Sequence, residues 1–311
     1  MQTATKQSKS VIITGATSGL GYWCAEAIAR SGQDWHIIIA SRNLLRVEEA
    51  VRNLMAETEY PHIEGMEIDL ASLASVHQFT QDFAAREHLP LQAIVCNAGI
   101  QVVSDTLYTE DGFEMTFGIN HLGHFLLVNL LLPHLNNQSR IVFVSSDTHD
   151  RDTNTGMPHP QYQEAKLLAF PADKDNDTDR GEIGRRRYTT SKLCNILCAY
   201  ELSRRLQKQQ LNITANAFNP GLMLDTQLAR DYSQAELSTL STALAPSVLE
   251  KAKDSKTMGS ILARLILDPS LDQVTGKYFD GMEEIKSSNE SYDERKATEL
   301  WQSSLELVKI N

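Results

Sequence analysis

Hydrophobic positions follow two rhythms over the first 145 residues. Residues 11–14, 35–40, 93–96 and 141–144 are short runs, apolar at nearly every position, and 63–68 is a sparser apolar stretch broken by two glutamates. Such runs predict strands of a parallel sheet buried on both faces. Between them, residues 20–31, 44–57, 72–86 and 111–135 carry apolar side chains at helical spacing. The first of these stops at Gly32 and the third opens on Ser72, a good N-cap. Strand and helix in this alternation predict right-handed βαβ units.

The rhythm breaks at 147–187. This stretch is polar, holds Pro158, Pro160 and Pro171, and carries an acidic run at 173–180. It reads as a lid-like insertion. Alternation resumes with a helix at 188–209, a strand at 213–218 and an irregular stretch after Pro220-Gly221. A helix at 255–267, a strand at 277–279 and an amphipathic helix at 291–309 complete the chain. No repeat or linker divides it. The predicted fold class is α/β: a single doubly wound Rossmann-type domain spanning 1–311, with a parallel sheet, helices on both faces and one long insertion.

Composition narrows the class without naming a chemistry. The 311 residues are 41% hydrophobic and 22% charged, an ordinary globular mix. A net charge of −11 argues against nucleic acid as a partner and against a basic membrane-surface patch. The first ten residues lack an apolar signal core, and the longest apolar stretch, 125–135, is too short to span a bilayer. No transmembrane segment is expected. Cys24, Cys96, Cys194 and Cys198 form no Cys-x-x-Cys pair, which fits reduced thiols in a cytoplasmic protein.

The candidate chemistry lies at the carboxyl ends of the predicted strands. Gly15, Thr17, Ser18, Gly19, Leu20 and Gly21 lie between the first strand and the first helix. Glycines there permit a tight turn, close approach of backbone to a pyrophosphate and tight packing, while the helix N-terminus supplies N–H donors. After the second strand stands Arg42, where enzymes that bind NAD place an acid. A guanidinium suits a 2′-phosphate, so NADP(H) is the expected cofactor. Asp69 and Leu70 follow the third strand and are expected at the adenine. Asn97, Ala98 and Gly99 end the fourth, where small residues let backbone run beside the cofactor. Tyr188 and Lys192 are four apart and share one helical face. A phenol, with a pKa of about 10, is a poor proton shuttle until a nearby ammonium stabilises its phenolate. His121 and His124 stand three apart, but no matching ligand spacing accompanies them, so no metal site is expected. Arg185, Arg186 and Arg187 are expected to pair with the acidic run on the surface.

Thr-Gly-x-x-x-Gly-x-Gly, Asn97-Ala-Gly, Asn120, Ser145-Ser146, Tyr188-x-x-x-Lys192 and Asn219-Pro-Gly221 occur in that order. The chain thereby resembles the short-chain dehydrogenase/reductase superfamily over about residues 10 to 280. The resemblance implies roles. Tyr188 is the general acid or base, and Ser146 bonds the substrate oxygen. Lys192 bonds the nicotinamide ribose and lowers the tyrosine pKa. Asn120 holds a relay water, and Pro220, Gly221 and Leu222 line the nicotinamide. It also implies a homodimer through the tyrosine helix, with the insertion beside Tyr188 as an obstacle.

Asn120-His-Leu-Gly-His-Phe125, Tyr-x-x-Ser-Lys-x-Cys-Asn195 and Asp268-Pro-Ser-Leu271 resemble protochlorophyllide reductases, and the first is shared with retinol-dehydrogenase-like enzymes. The pigment enzymes carry Cys after Pro-Gly, where this chain has Leu222. A family threonine after Pro-Gly falls at Asp225, with Thr226 beside it. The leading expectation is an NADPH-dependent oxidoreductase acting on a carbonyl or alcohol of a fairly large apolar small-molecule substrate. The alternatives are a light-dependent protochlorophyllide reductase and a non-catalytic NADP-sensing protein.

Overall fold

A computed structural model describes residues 9–86, 90–172, 179–232 and 252–310. Seven parallel strands build the sheet: β1 (Lys9–Thr14), β2 (Trp35–Ser41), β3 (Ile63–Glu67), β4 (Leu91–Cys96), β5 (Leu135–Val144), β6 (Ile213–Asn219) and β7 (Tyr278–Asp280). An eighth, β8 (Glu283–Ile285), pairs antiparallel with β7 at one edge. The order is β3-β2-β1-β4-β5-β6-β7-β8. The chain leaves β1 in one direction toward β3 and in the other from β4 onward. That reversal opens a crevice at the carboxyl ends of β1 and β4, where such sheets bind ligands.

The core lies in two layers because successive strand residues point to opposite faces. Val11 and Ile13 join one apolar cluster, and Ile12 joins the other. The first layer includes α1 (Gly19–Ala29), α2 (Leu44–Thr58) and α8 (Ser255–Leu267). The second includes α3 (Leu73–Ala84), α5 (His124–Leu131), the short α6 (Ala165–Ala169), α7 (Arg180–Lys208) and α9 (Glu294–Leu307). A short α4 (Met115–Phe117) and a π-helical segment (Gly118–Gly123) run into α5.

Several features differ from the sequence pattern. Helix α7 begins at Arg180, not 188, because Asp179 caps it: its Oδ1 accepts from Gly181 N at 2.8 Å and Glu182 N at 3.3 Å. Strand β5 begins at Leu135, its exposed polar start hiding it from an apolar-run criterion. The edge strand β8 carries two glutamates and no buried residue, so it leaves no apolar trace. Finally, Met115–His134 is a 20-residue helical run long and apolar enough to cross a membrane, but 78% of it is buried inside the protein. It packs into the second layer.

The insertion is largely docked. Ala165 and Ala169 are fully buried, and the Tyr162 hydroxyl donates to Lys296 O on α9 at 3.1 Å. The first six residues of the acidic run, 173–178, lie outside the described residues.

Candidate active site

A cleft of about 1420 Å³ follows the carboxyl edge of the sheet. It brings together Gly15, Thr17, Ser18, Gly19, Leu20, Arg42, Asp69, Leu70, Asn97, Ala98, Gly99, Ser146, Tyr188, Lys192, Pro220, Gly221 and Leu222. Two expected residues do not line it, Gly21 and Asn120.

The turn from β1 into α1 needs its glycines for separate reasons. Gly15 and Gly19 have φ of +67° and +57°, which side chains disfavour. A Cβ at Gly15 would also lie 2.8 Å from Ala98 Cα. Ser18 precedes the helix in extended conformation and makes no side-chain cap, so the first N–H groups of α1 face the cleft uncapped. This cradle fits a pyrophosphate. Gly21 sits behind it: a Cβ there would meet Asn97 Nδ2 at 2.6 Å and Ala16 Cα at 3.0 Å. It packs the helix against the β4 loop and does not face the cofactor slot.

Thr14 ties the two strand ends. Its Oγ1 accepts from the Asn97 and Ala98 amides, both at 3.0 Å, and lies 2.8 Å from His124 Nε2. His121 Nε2 meets Ser304 Oγ at 2.9 Å. Burial lowers the pKa of His121 to about 3 and of His124 to about 4, so both rings are neutral struts. No group of side chains able to hold a metal occurs among the described residues.

Arg42 and Arg46 flank the far end of the cleft, joined there by Arg230 from the stretch after Pro220-Gly221. Burial lowers the Arg230 pKa, and repulsion from Arg42 and Arg46 lowers it further. Three cations facing one slot form an anion site. Asp225 lies outside the cleft. Its Oδ2 accepts from Ser255 N at 3.0 Å and Ser255 Oγ at 2.8 Å, at the start of α8. Thr226 instead reaches the pyrophosphate turn, its Cγ2 lying 3.4 Å from where a Gly19 Cβ would sit.

At the other end, Tyr188 is buried, with Ser146 and Asp147 close enough to act on its phenol. The two serines divide their work. Both line the cleft, but Ser145 Oγ is spent on Lys192 O at 2.8 Å, whereas Ser146 Oγ bonds its neighbours Asp147 Oδ1 at 3.1 Å and Thr148 N at 3.2 Å. Lys192 Nζ donates to Val144 O at 3.2 Å and lies 5.3 Å from the Tyr188 ring centroid. Its burial lowers its pKa to about 8. The Tyr188 phenol is pushed up, first by burial, then by Asp147 and Tyr232; the Ser146 hydroxyl opposes this, and Lys192 is not among the causes. The lowering expected from Lys192 does not figure: burial dominates, and the ammonium bonds a backbone carbonyl.

Asn120 stands in the π-helical segment. Its Oδ1 accepts from Ile100 N at 2.8 Å, and its Nδ2 donates to Ile100 O and Ser191 Oγ, both at 3.0 Å. The side chain is therefore committed to the β4 loop and α7. The wide turn it occupies is set by Gly118 and Gly123, where a Cβ would lie 2.5 Å from Thr109 Cγ2 and 2.6 Å from Leu70 O.

Sequence reasoning missed Asp147, Arg230 and Tyr232, which line the cleft together with residues 153–157 of the insertion it read as lid-like. Asp147 directly follows the Ser-Ser pair, which was its signal. The others lie in aperiodic stretches and left none. Of the arginine triplet, Arg185 pairs with Asp179 at 3.5 Å, Arg186 with Glu182, and Arg187 Nη1 with Thr106 Oγ1 at 2.8 Å. The first pairing matches the expectation; the other two fall within α7 and across to the β4 loop.

The profile of the short chain dehydrogenase family matches residues 9–159. Protochlorophyllide reductase of Daucus carota is 34% identical, the match covering 98% of this chain and 79% of that protein. Retinol dehydrogenase 13 of Homo sapiens is 36% identical, over 99% of this chain and 86% of that protein. A solved structure of an uncharacterised protein from Mycobacterium paratuberculosis superposes with a TM-score of 0.68 at 28% identity, covering 97% and 94% of the two chains. With its motifs gathered along one cleft and relatives that match it nearly end to end, this chain belongs to the short-chain dehydrogenase/reductase family of nicotinamide-dependent oxidoreductases.

Proposed function

We propose that the protein is an NADPH-dependent carbonyl reductase for a fairly large, apolar substrate. The observation that carries the reading is the juxtaposition of Tyr188, Ser146 and Lys192 at one end of a cleft whose other end holds Arg42, Arg46 and Arg230. The bound nicotinamide would supply the hydride. Ser146 orients the substrate oxygen, and Tyr188 donates the proton to it. With its pKa raised, Tyr188 keeps that proton at neutral pH, the form reduction requires. Lys192 holds a positive charge beside the reacting oxygen and takes the ribose hydroxyls. The uncapped α1 turn holds the pyrophosphate, and the arginines hold the 2′-phosphate.

Substrate size and polarity follow from the cleft mouth. Leu224 and Met282 line the cleft while 64% and 57% exposed, and Leu222 and Met223 line it too. Exposed large apolar side chains beside a reactive end suit an apolar ligand. Four buried free cysteines fit a reducing compartment such as the cytoplasm.

One further reading has specific support. The 34% identity to a protochlorophyllide reductase over 98% of the chain favours a pigment substrate, while Leu222 opposes it. A single panel separates the two. NADPH consumption is followed with a polyene aldehyde, a long-chain aldehyde, a short aldehyde and protochlorophyllide, the last dark and illuminated. Dark turnover rising with carbonyl size supports the proposal. Turnover of protochlorophyllide alone, and only in light, replaces it with the pigment reading.

A further inference from the structure

Residues 226–232 cross from one end of the cleft to the other, and each anchor is visible. Thr226 lies against the pyrophosphate turn at Gly19. Arg230 faces the same slot as Arg42 and Arg46. The next residue, Asp231, is bound to the β4 loop: its Oδ2 accepts from Val103 N at 2.7 Å, Ser104 N at 3.0 Å and Ser104 Oγ at 2.9 Å. Tyr232 is 8% exposed and lines the cleft near Tyr188. One short segment therefore touches the phosphate turn, the arginine cluster, the β4 loop and the surroundings of the tyrosine.

We infer that this segment is a strap that senses the cofactor's 2′-phosphate: Arg230 joins Arg42 and Arg46 in gripping that group, and the grip docks Asp231 and Tyr232 over the substrate end of the cleft. The inference rests on the NADPH reading above. Its physical basis is repulsion. Three guanidinium groups facing one slot disfavour the docked strap until an anion lies between them. Burial lowers the Arg230 pKa, repulsion from Arg42 and Arg46 lowers it further, and Asp231 only partly opposes them. A phosphate dianion turns that repulsion into attraction, and Asp231 and Tyr232, being the next two residues, must follow. A cofactor without the phosphate would bind the rest of the cleft and leave the strap less firmly held.

The test uses 2′,5′-ADP and 5′-ADP as probes on the full chain, with Arg230→Gln and Arg42→Ala as variants. Titration calorimetry gives affinity, and amide hydrogen exchange at Val103 and Ser104, whose N–H groups Asp231 accepts, reports docking. In the parent protein 2′,5′-ADP should slow that exchange and 5′-ADP should not. Arg230→Gln should weaken 2′,5′-ADP about tenfold or more, as expected for a lost charge-assisted bond. It should leave 5′-ADP unchanged and abolish the slowing. Arg230→Lys should restore part of both. If Arg42→Ala loses the 2′-phosphate preference while Arg230→Gln keeps both affinity and slowing, the strap inference is overturned and the NADPH reading stands. If the parent binds both probes equally, both fall.

Discussion

At the scale of single residues, burial decides the charges that the chemistry uses. Lys192 is an amine out of water, so its ammonium loses hydration and its pKa drops from 10.5 to about 8. Below about pH 8 the folded and unfolded chains both carry the charge, and folding bears the whole desolvation cost. Between about 8 and 10.5 the folded chain releases the proton first, the unfolded state binds more protons, and stability rises with pH. Denaturant unfolding of the parent and Lys192→Met across pH 7 to 11 should therefore show the gap shifting in the parent's favour within that window; parallel curves would remove the argument. At the cofactor end, Arg42→Ala should weaken NADPH about tenfold or more while sparing NADH, as loss of a bidentate phosphate contact does. Equal losses would take the 2′-phosphate away from Arg42. The pairing of Tyr188 with Lys192 was legible because the spacing of four is a property of any helix. The Lys192-to-Val144 bond was not, because it depends on how α7 lies across β5.

Helix α7 shows where element boundaries escape the sequence and where they were within reach. Residues 180–187 are polar, so an apolar-period criterion assigns them to the insertion. Yet Asp179-Arg-Gly-Glu182 has the capping-box spacing, and Asp179 does cap the helix. The extra two turns carry Gly184, where a Cβ would lie 2.1 Å from Val102 O and 2.7 Å from Val103 Cα. Only a bare backbone lets α7 approach the β4 loop this closely. Gly184→Ala should therefore cost about 1–3 kcal/mol, against the usual gain for alanine in a helix. Because the displaced helix carries Tyr188, turnover should fall along with the denaturation midpoint. An unchanged midpoint would mean the loop gives way freely. The π-helical segment was beyond sequence reach: Gly118 and Gly123 read as ordinary helix glycines until Thr109 and Leu70 are seen against them.

For the whole molecule, the strand rhythm carried most of the fold, because a parallel sheet buried on both faces must be written in continuous apolar runs. It carried the crevice as well, since strand order follows from connection rules and the crevice from strand order. The cleft's outer wall was legible only as an insertion without period, which named no wall residue. Residues 153–157 of the insertion line the cleft, while the segment around Tyr162 and Ala165 is docked on α9. Excising the insertion would remove core residues, so Met157→Ala is the cleaner probe of the wall. It should raise the KM for an apolar carbonyl about three- to thirtyfold, the size of a lost apolar contact, and leave NADPH affinity unchanged. An unaltered substrate profile would make 153–157 mere surface. The central claim, that this cleft performs hydride transfer with Tyr188 as the proton donor, is tested most directly by Tyr188→Phe. NADPH affinity and turnover are measured on the same sample. The account expects affinity within a few fold of the parent and turnover lower by about 10²–10⁴. Full turnover by the phenylalanine variant would contradict it.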